Sequence, residues 1–150
     1  MASIKYEAGA IQTLMSTELN SLANGSNKLA SSGYDNGANL YLYGLFECNV
    51  TFGTNPTAGN LINLYLVPAP DGTNYDDGTD SIVPPSTFYV GGFPVRAVTT
   101  AQKIGLGLVA QALIPLPPVL FKPLLINNSG QAFPASGSTL KMVPYRLQSV

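Results

Sequence analysis

Histidine and tryptophan are absent from this 150-residue sequence, and cysteine occurs once. Without histidine there is no Ser-His-Asp triad, no Cys-His pair and no imidazole metal ligand. Cys48 cannot form an intramolecular disulfide. Set in an apolar run with no base to activate it, it reads as a buried core thiol. The lack of tryptophan removes a preferred stacking platform for sugars and leaves that role to the eight tyrosines. Charge is also scarce: Asp, Glu, Lys and Arg make up 10% of the chain, against about 25% in a typical soluble domain. A lone monomer keeps a charged surface to stay soluble, so this deficit points to a surface covered by other subunits. Long apolar runs are missing as well. The longest, Ile104 to Leu125, is cut by Pro115, Pro117, Pro118, Lys122 and Pro123 and is not a transmembrane helix. The opening MASIKYEAGA has no apolar core of a signal peptide. We expect a soluble chain, made in a cytoplasm, with no membrane partner.

The few charges are unevenly placed. All eight acids (Glu7, Glu18, Asp35, Glu47, Asp71, Asp76, Asp77 and Asp80) and only Lys5 and Lys28 lie in residues 1–80. Residues 81–150 carry Arg96, Lys103, Lys122, Lys141 and Arg146 and no acid. Either the two halves interleave in one fold, or acidic and basic patches of neighbouring subunits meet head to tail. Five dispersed bases are too thin a footprint for nucleic acid, so no nucleic-acid partner is expected.

Apolar residues make up 45% of the chain, enough to fill the core of one domain, residues 1–150. Fifteen glycines and twelve prolines cut it into short pieces. Residues 1–11 read as a short extended N-terminal arm. Ile11 to Leu22 has roughly helical spacing but is rich in Ser, Thr and Asn, so we expect extended chain with at most one helical turn. Strands are expected at Glu18 to Ala23, Asn27 to Ser31, Asn39 to Phe52, Asn60 to Pro68, Phe88 to Val98, Gln102 to Gln111, Val119 to Asn127 and Thr139 to Leu147. Asn39 to Phe52 and Asn60 to Pro68, joined by the turn-rich Gly53 to Gly59, are expected to pair as a long hairpin, with Gly44 marking a bulge or bend. Pro70 to Pro85 reads as a long, exposed, acidic loop. Ile114 to Pro118 reads as an extended bridge, and Pro123 as a bulge or edge position. About eight short antiparallel strands with little helix predict an all-β fold, a β-sandwich or jelly-roll-like domain.

Motifs for chemistry fail in turn. Asp71, Asp76, Asp77 and Asp80 share the predicted loop, but solvated carboxylates at a loop tip have no cause for the raised pKa that acid catalysis needs. Their spacing departs from the calcium loop rule: Thr73 and Tyr75 stand where ligands belong, and no Glu closes the loop. Gly105-Leu-Gly107-Leu-Val-Ala110 superficially matches a dinucleotide fingerprint, yet Pro115 follows too soon for a helix and no acid lies downstream. Asn24-Gly-Ser26, Asn49-Val-Thr51 and Asn127-Asn-Ser129 match the glycosylation pattern by chance, given the absence of a secretory signal. We expect no catalytic residues, no cofactor and no metal.

Three stretches carry a resemblance: TELNSLANGSNKLASSGYDNGANLYLYGLFECNVTF (Thr17 to Phe52), INLYLVPAPDGTNYDDGTD (Ile62 to Asp80) and LPPVLFKPLLINNSGQAFPASGSTLKMVPYRLQ (Leu116 to Gln148). In this order they resemble small virion proteins of tailed bacteriophages and prophages, of the capsid decoration or cement kind. The resemblance rests on pattern over most of the chain, not on a catalytic motif. It implies a jelly-roll-like β-sandwich that binds the outside of an assembled head and bridges major capsid subunits, often as a homotrimer. It places the protein on the virion surface after synthesis in the bacterial cytoplasm. Pro123 departs from the uninterrupted strand of that pattern and leaves pairing on one side of the strand open.

Free termini and long loops are the segments able to reach a neighbour. The expected interface therefore comprises Ser3, Ile4, Lys5, Tyr6 and Ile11 of the arm and Asp71, Asn74, Tyr75, Asp76 and Asp77 of the loop. The alternative is a tail, baseplate or fibre module that binds a host surface glycan, with Tyr34, Tyr75 and Tyr89 as stacking residues.

Overall fold

A computed structural model describes residues 3–107 and 114–149. The described residues form two antiparallel sheets. Sheet A contains β1 (Ile4–Ala8), β2 (Gln12–Met15), β5 (Tyr43–Val50), β8 (Gln102–Leu106), β9 (Ile114–Pro115) and β11 (Thr139–Ser149). Sheet B contains β3 (Asn27–Leu29), β4 (Tyr34–Asp35), β6 (Leu61–Ala69), β7 (Tyr89–Pro94) and β10 (Leu120–Asn127). The only helical pieces among the described residues are single 3-10 turns at Thr17–Leu19 and Ser86–Phe88.

Three strand positions are split. Both β1 and β2 lie along β11, β3 and β4 along β10, and β8 and β9 along β5. The described residues thus occupy eight strand positions. First pairs with last, second with seventh, third with sixth and fourth with fifth, with all pairs antiparallel. A long hairpin rolled on itself gives this order, and the expected all-β sandwich is a jelly roll.

Strict alternation makes the core. In β5, Gly44, Phe46, Cys48 and Val50 are buried, while the residues between them are half-buried. Phe46, Cys48 and Val50 lie beside Leu140 and Met142 of the neighbouring β11 and face Ile62, Leu64 and Leu66 of β6 and Phe121 and Leu125 of β10 within one apolar cluster. Gly44 lies in regular register with Pro144, not at a bulge. It is a close-packing site, because an added Cβ would stand 2.9 Å from the Phe46 ring, 3.0 Å from Leu116 and 3.2 Å from the Met142 sulfur.

The structure corrects several expectations. Strands β5 and β6 do not form a hairpin: they lie in opposite sheets and pack face to face. Each carries one apolar face, and two such faces can be buried across a sandwich as well as side by side. Glu18 to Ala23 is not a strand; the end of the 3-10 turn, a following turn and irregular chain occupy it. The strand expected at Gln102 to Gln111 ends at Leu106, and Leu108 to Gln111 lie outside the described residues.

Pro123 is neither at an edge nor at a bulge of its own strand. It is buried in central strand β10, in register with Leu66. Its carbonyl accepts from Ala30 N–H at 2.9 Å, so its ring nitrogen faces the same side, where β3 has ended and β4 has not begun. Pro144 in central strand β11 repeats the arrangement: its carbonyl accepts from Gly9 N–H at 2.7 Å, in the gap between β1 and β2. A proline supplies no ladder donor, and in both sheets the edge strand breaks where that donor is missing.

Candidate interaction surface

Cys48 is fully buried in β5, and burial, then the Glu47 charge beside it, pushes its thiol up to about 12. Asp71 is exposed and its carboxyl is lowered; Asn74 N–H and side-chain amide and Thr73 N–H donate to it at 2.7 to 2.8 Å. Among the described residues no three acid or thiol groups converge to hold a metal ion. Asn127, in one glycosylation-like triplet, is fully buried and cannot accept a sugar in the folded chain.

The acidic loop is more tightly held than its composition predicts. Asp76 N–H donates to Pro68 O at 3.0 Å. Asp80 pairs with Lys28 and accepts from Leu29 N–H at 2.8 Å. Burial opposes ionisation of Asp80, but the Lys28 and Leu29 hydrogen bonds outweigh it and lower its pKa. The loop thereby lies across the outer face of sheet B. Val67 and Leu124 there are completely buried, grouped with Ile126, Tyr65, Tyr75 and Leu29. Gly78 and Pro84 pack beside Val67. Asn74, Asp76 and Asp77 remain exposed, while Tyr75 is half-buried.

The opposite outer face, on sheet A, has no such cover among the described residues. Residues of the N-terminal segment are extended, but Ile4–Ala8 is paired as β1 with Tyr145–Ser149 of β11. Strand β5 accompanies β11 only as far as Tyr145, opposite Tyr43. Beyond that point β1 and β11 continue as a two-stranded ribbon. Such a ribbon is marginal in water without further packing. On its outer side Tyr6 meets Tyr145 edge-on at 5.7 Å, and Tyr145 meets Tyr43 at 5.5 Å. Ile4 is 71% exposed, Tyr6 70%, Ile11 69% and Leu147 48%, a cluster of exposed apolar side chains on this face. Ile11 lies beside Leu45, Val143, Glu47 and Lys141, which continue this face across the sheet. Ser3 and Lys5 are exposed.

Of the two expected interface segments, the arm belongs to sheet A and the loop to sheet B. Register places both at one end of the sandwich. Strand β11 reaches Tyr145 and β6 reaches Ala69 at this end, opposite the crossover from Val50 to Leu61. Leu40 and Leu42, 56% and 47% exposed, add to the same end on the sheet A side. Leu40 holds a left-handed backbone, φ 49°, which is strained for a non-glycine residue.

The three tyrosines named for a glycan do not form one platform. Tyr34 packs on Phe121 at 5.5 Å, Tyr75 lies under the Lys122 ammonium at 4.7 Å, and Tyr89 packs on Tyr65 at 5.2 Å. Tyr89 also lines an open groove of about 550 Å³ with Leu66, Phe88, Leu116 and Pro117, a wall with few polar groups to orient a sugar.

Buried amides set the loops around these surfaces, and no sequence motif signals them. The Asn36 side chain donates to Tyr41 O at 2.8 Å and Pro117 O at 2.9 Å and accepts from Tyr41 N–H at 2.9 Å. It fixes the turn that presents Leu40 and Leu42. The Gln102 side-chain oxygen accepts from Arg96 N–H at 2.8 Å, and its amide donates to Arg96 O at 3.0 Å.

The chain matches no protein-family model, and no curated protein is similar to it in sequence.

Proposed function

We propose that this protein is a non-enzymatic structural component of a phage virion, bound to the outer surface of the head and stabilising it by bridging major capsid subunits. The observation that carries the reading is the asymmetry of the two outer faces. Sheet B is covered by the protein's own acidic loop, whereas sheet A and the β1–β11 ribbon present Ile4, Tyr6, Ile11 and Leu147. A charge-poor face with aromatic and aliphatic side chains suits the core of a protein–protein contact. The phage head as partner is supported by the sequence resemblance over Thr17 to Phe52, Ile62 to Asp80 and Leu116 to Gln148. Binding of this kind needs area and many equivalent sites, not chemistry.

The test adds purified protein to mature heads that lack it. Co-sedimentation with heads and a higher disruption temperature are expected. Heads that neither retain the protein nor gain heat resistance would rule this function out, and binding to a glycan array instead would assign the tail or fibre role.

A further inference from the structure

From the edge of β1 that no described strand pairs we infer that it is a self-pairing surface, and that its occupant is β1 of a second copy of this chain, run antiparallel about a two-fold axis at Tyr6. The direction of the main-chain groups comes first. Gly9 N–H donates to Pro144 O, so Lys5, Glu7 and Gly9 aim their N–H and C=O at β11. By alternation, Ile4, Tyr6 and Ala8 aim theirs outward from the sheet. Centring the pair on Tyr6 sets Tyr6 against Tyr6 of the second copy and Ile4 against Ala8, all as hydrogen-bonded pairs. Every outward donor and acceptor of the five residues then has a partner.

The charges select the same register. Lys5 falls opposite Glu7 of the second copy, and Glu7 opposite its Lys5. These are the closely spaced, non-hydrogen-bonded positions, where opposite charges stabilise and like charges repel. Glu7 keeps its own partner, since Arg146 Nε donates to it at 2.7 Å. A slip by two residues loses both cross-pairs. The IKYEA segment is thus self-complementary in charge only in the antiparallel arrangement about its centre.

A second observation is the ribbon itself. Beyond Tyr145 the two strands have no third beside them among the described residues, and Ile4, Tyr6 and Leu147 stand exposed on one side of the ribbon. Joining two ribbons makes a four-stranded sheet, removes two open edges and brings the apolar side chains of both copies onto one outer face. A two-fold pair differs from the trimer that the sequence resemblance implies, and it does not depend on the virion reading.

Sedimentation velocity and native mass spectrometry of the purified chain test this directly. A two-chain species that grows with concentration is expected. Lys5→Glu should abolish it, because a second carboxylate would then face Glu7, and Glu7→Lys should abolish it by facing Lys5 with a second ammonium. An equimolar mixture of the two variants should restore a two-chain species containing one of each, which requires both to be folded. Ile4→Pro removes an outward N–H without altering charge and should weaken the pair several-fold. A single-chain mass at all concentrations, a three-chain mass, a two-chain species untouched by Lys5→Glu and Ile4→Pro, or folded variants that fail to pair on mixing would each overturn the inference.

Discussion

Asn127 shows how one side chain organises distant chain segments. Its amide N–H groups donate to Leu22 O at 2.9 Å and Gln131 O at 2.8 Å, and its oxygen accepts from Ser129 N–H and Oγ–H. Its removal orphans several buried groups at once. Asn127→Ala should lower stability by about 2–3 kcal/mol, whereas the exposed neighbour Asn128→Ala should change it by less than about 0.5 kcal/mol. Denaturant midpoints of the two variants read the difference; equal midpoints would contradict the stapling role. This distinction is invisible in the sequence, where two adjacent asparagines in a turn look alike and the partner Leu22 is 105 residues away. Cys48 was legible because an apolar strand surrounds it on both sides and local pattern suffices.

At the scale of elements, short polar ties fasten connections that propensity leaves undefined. The Thr17–Leu19 turn is tied to the segment after β3 by Glu18, which accepts from Ser16 N–H at 3.0 Å, Ser31 N–H at 3.2 Å and the Ser31 hydroxyl. Burial opposes the charge, but these donors prevail and hold its pKa at about 2, below the ordinary 4.5. A depressed carboxylate stabilises the fold above its unfolded pKa, and that contribution disappears as pH falls through the folded one. Glu18→Gln should therefore cost roughly 1 kcal/mol at pH 7, after discounting for solvent screening. The gap should narrow between about pH 4.5 and 2. Chemical denaturation across that range checks the sign; a gap independent of pH would contradict it. The long strands β5, β6, β10 and β11 were readable from aromatic and β-branched runs. Their neighbours were not, because alternation identifies the buried face but not the strand alongside. Pro123 illustrates the limit: its missing donor signalled an interruption, yet the interruption falls in the edge strand beside it.

For the whole molecule, the two halves of opposite charge interleave. Each sheet draws strands from both, and Glu7 of the first strand binds Arg146 of the last. The polarity that matters lies between the faces: one outer face is covered by the Asp71 to Asp80 loop and the other has no such cover among the described residues. The loop looked free in sequence because its tether, Asp80 to Lys28 and Leu29, spans about fifty residues and leaves no local pattern. The arm looked free for the corresponding reason, its partner being the far end of the chain in β11. The exposed tyrosine and isoleucines of that arm could be named from sequence, but the sheet face they extend could not.

Electron cryo-microscopy of heads decorated with the protein tests the central claim most directly. The account predicts a jelly roll on the outer shell with the sheet A face, carrying Tyr6, Ile11, Leu45 and Val143, against the capsid and the Asp71 to Asp77 loop toward solvent. Density with the acidic loop against the shell would contradict the face assignment, and density confined to the tail would contradict the function.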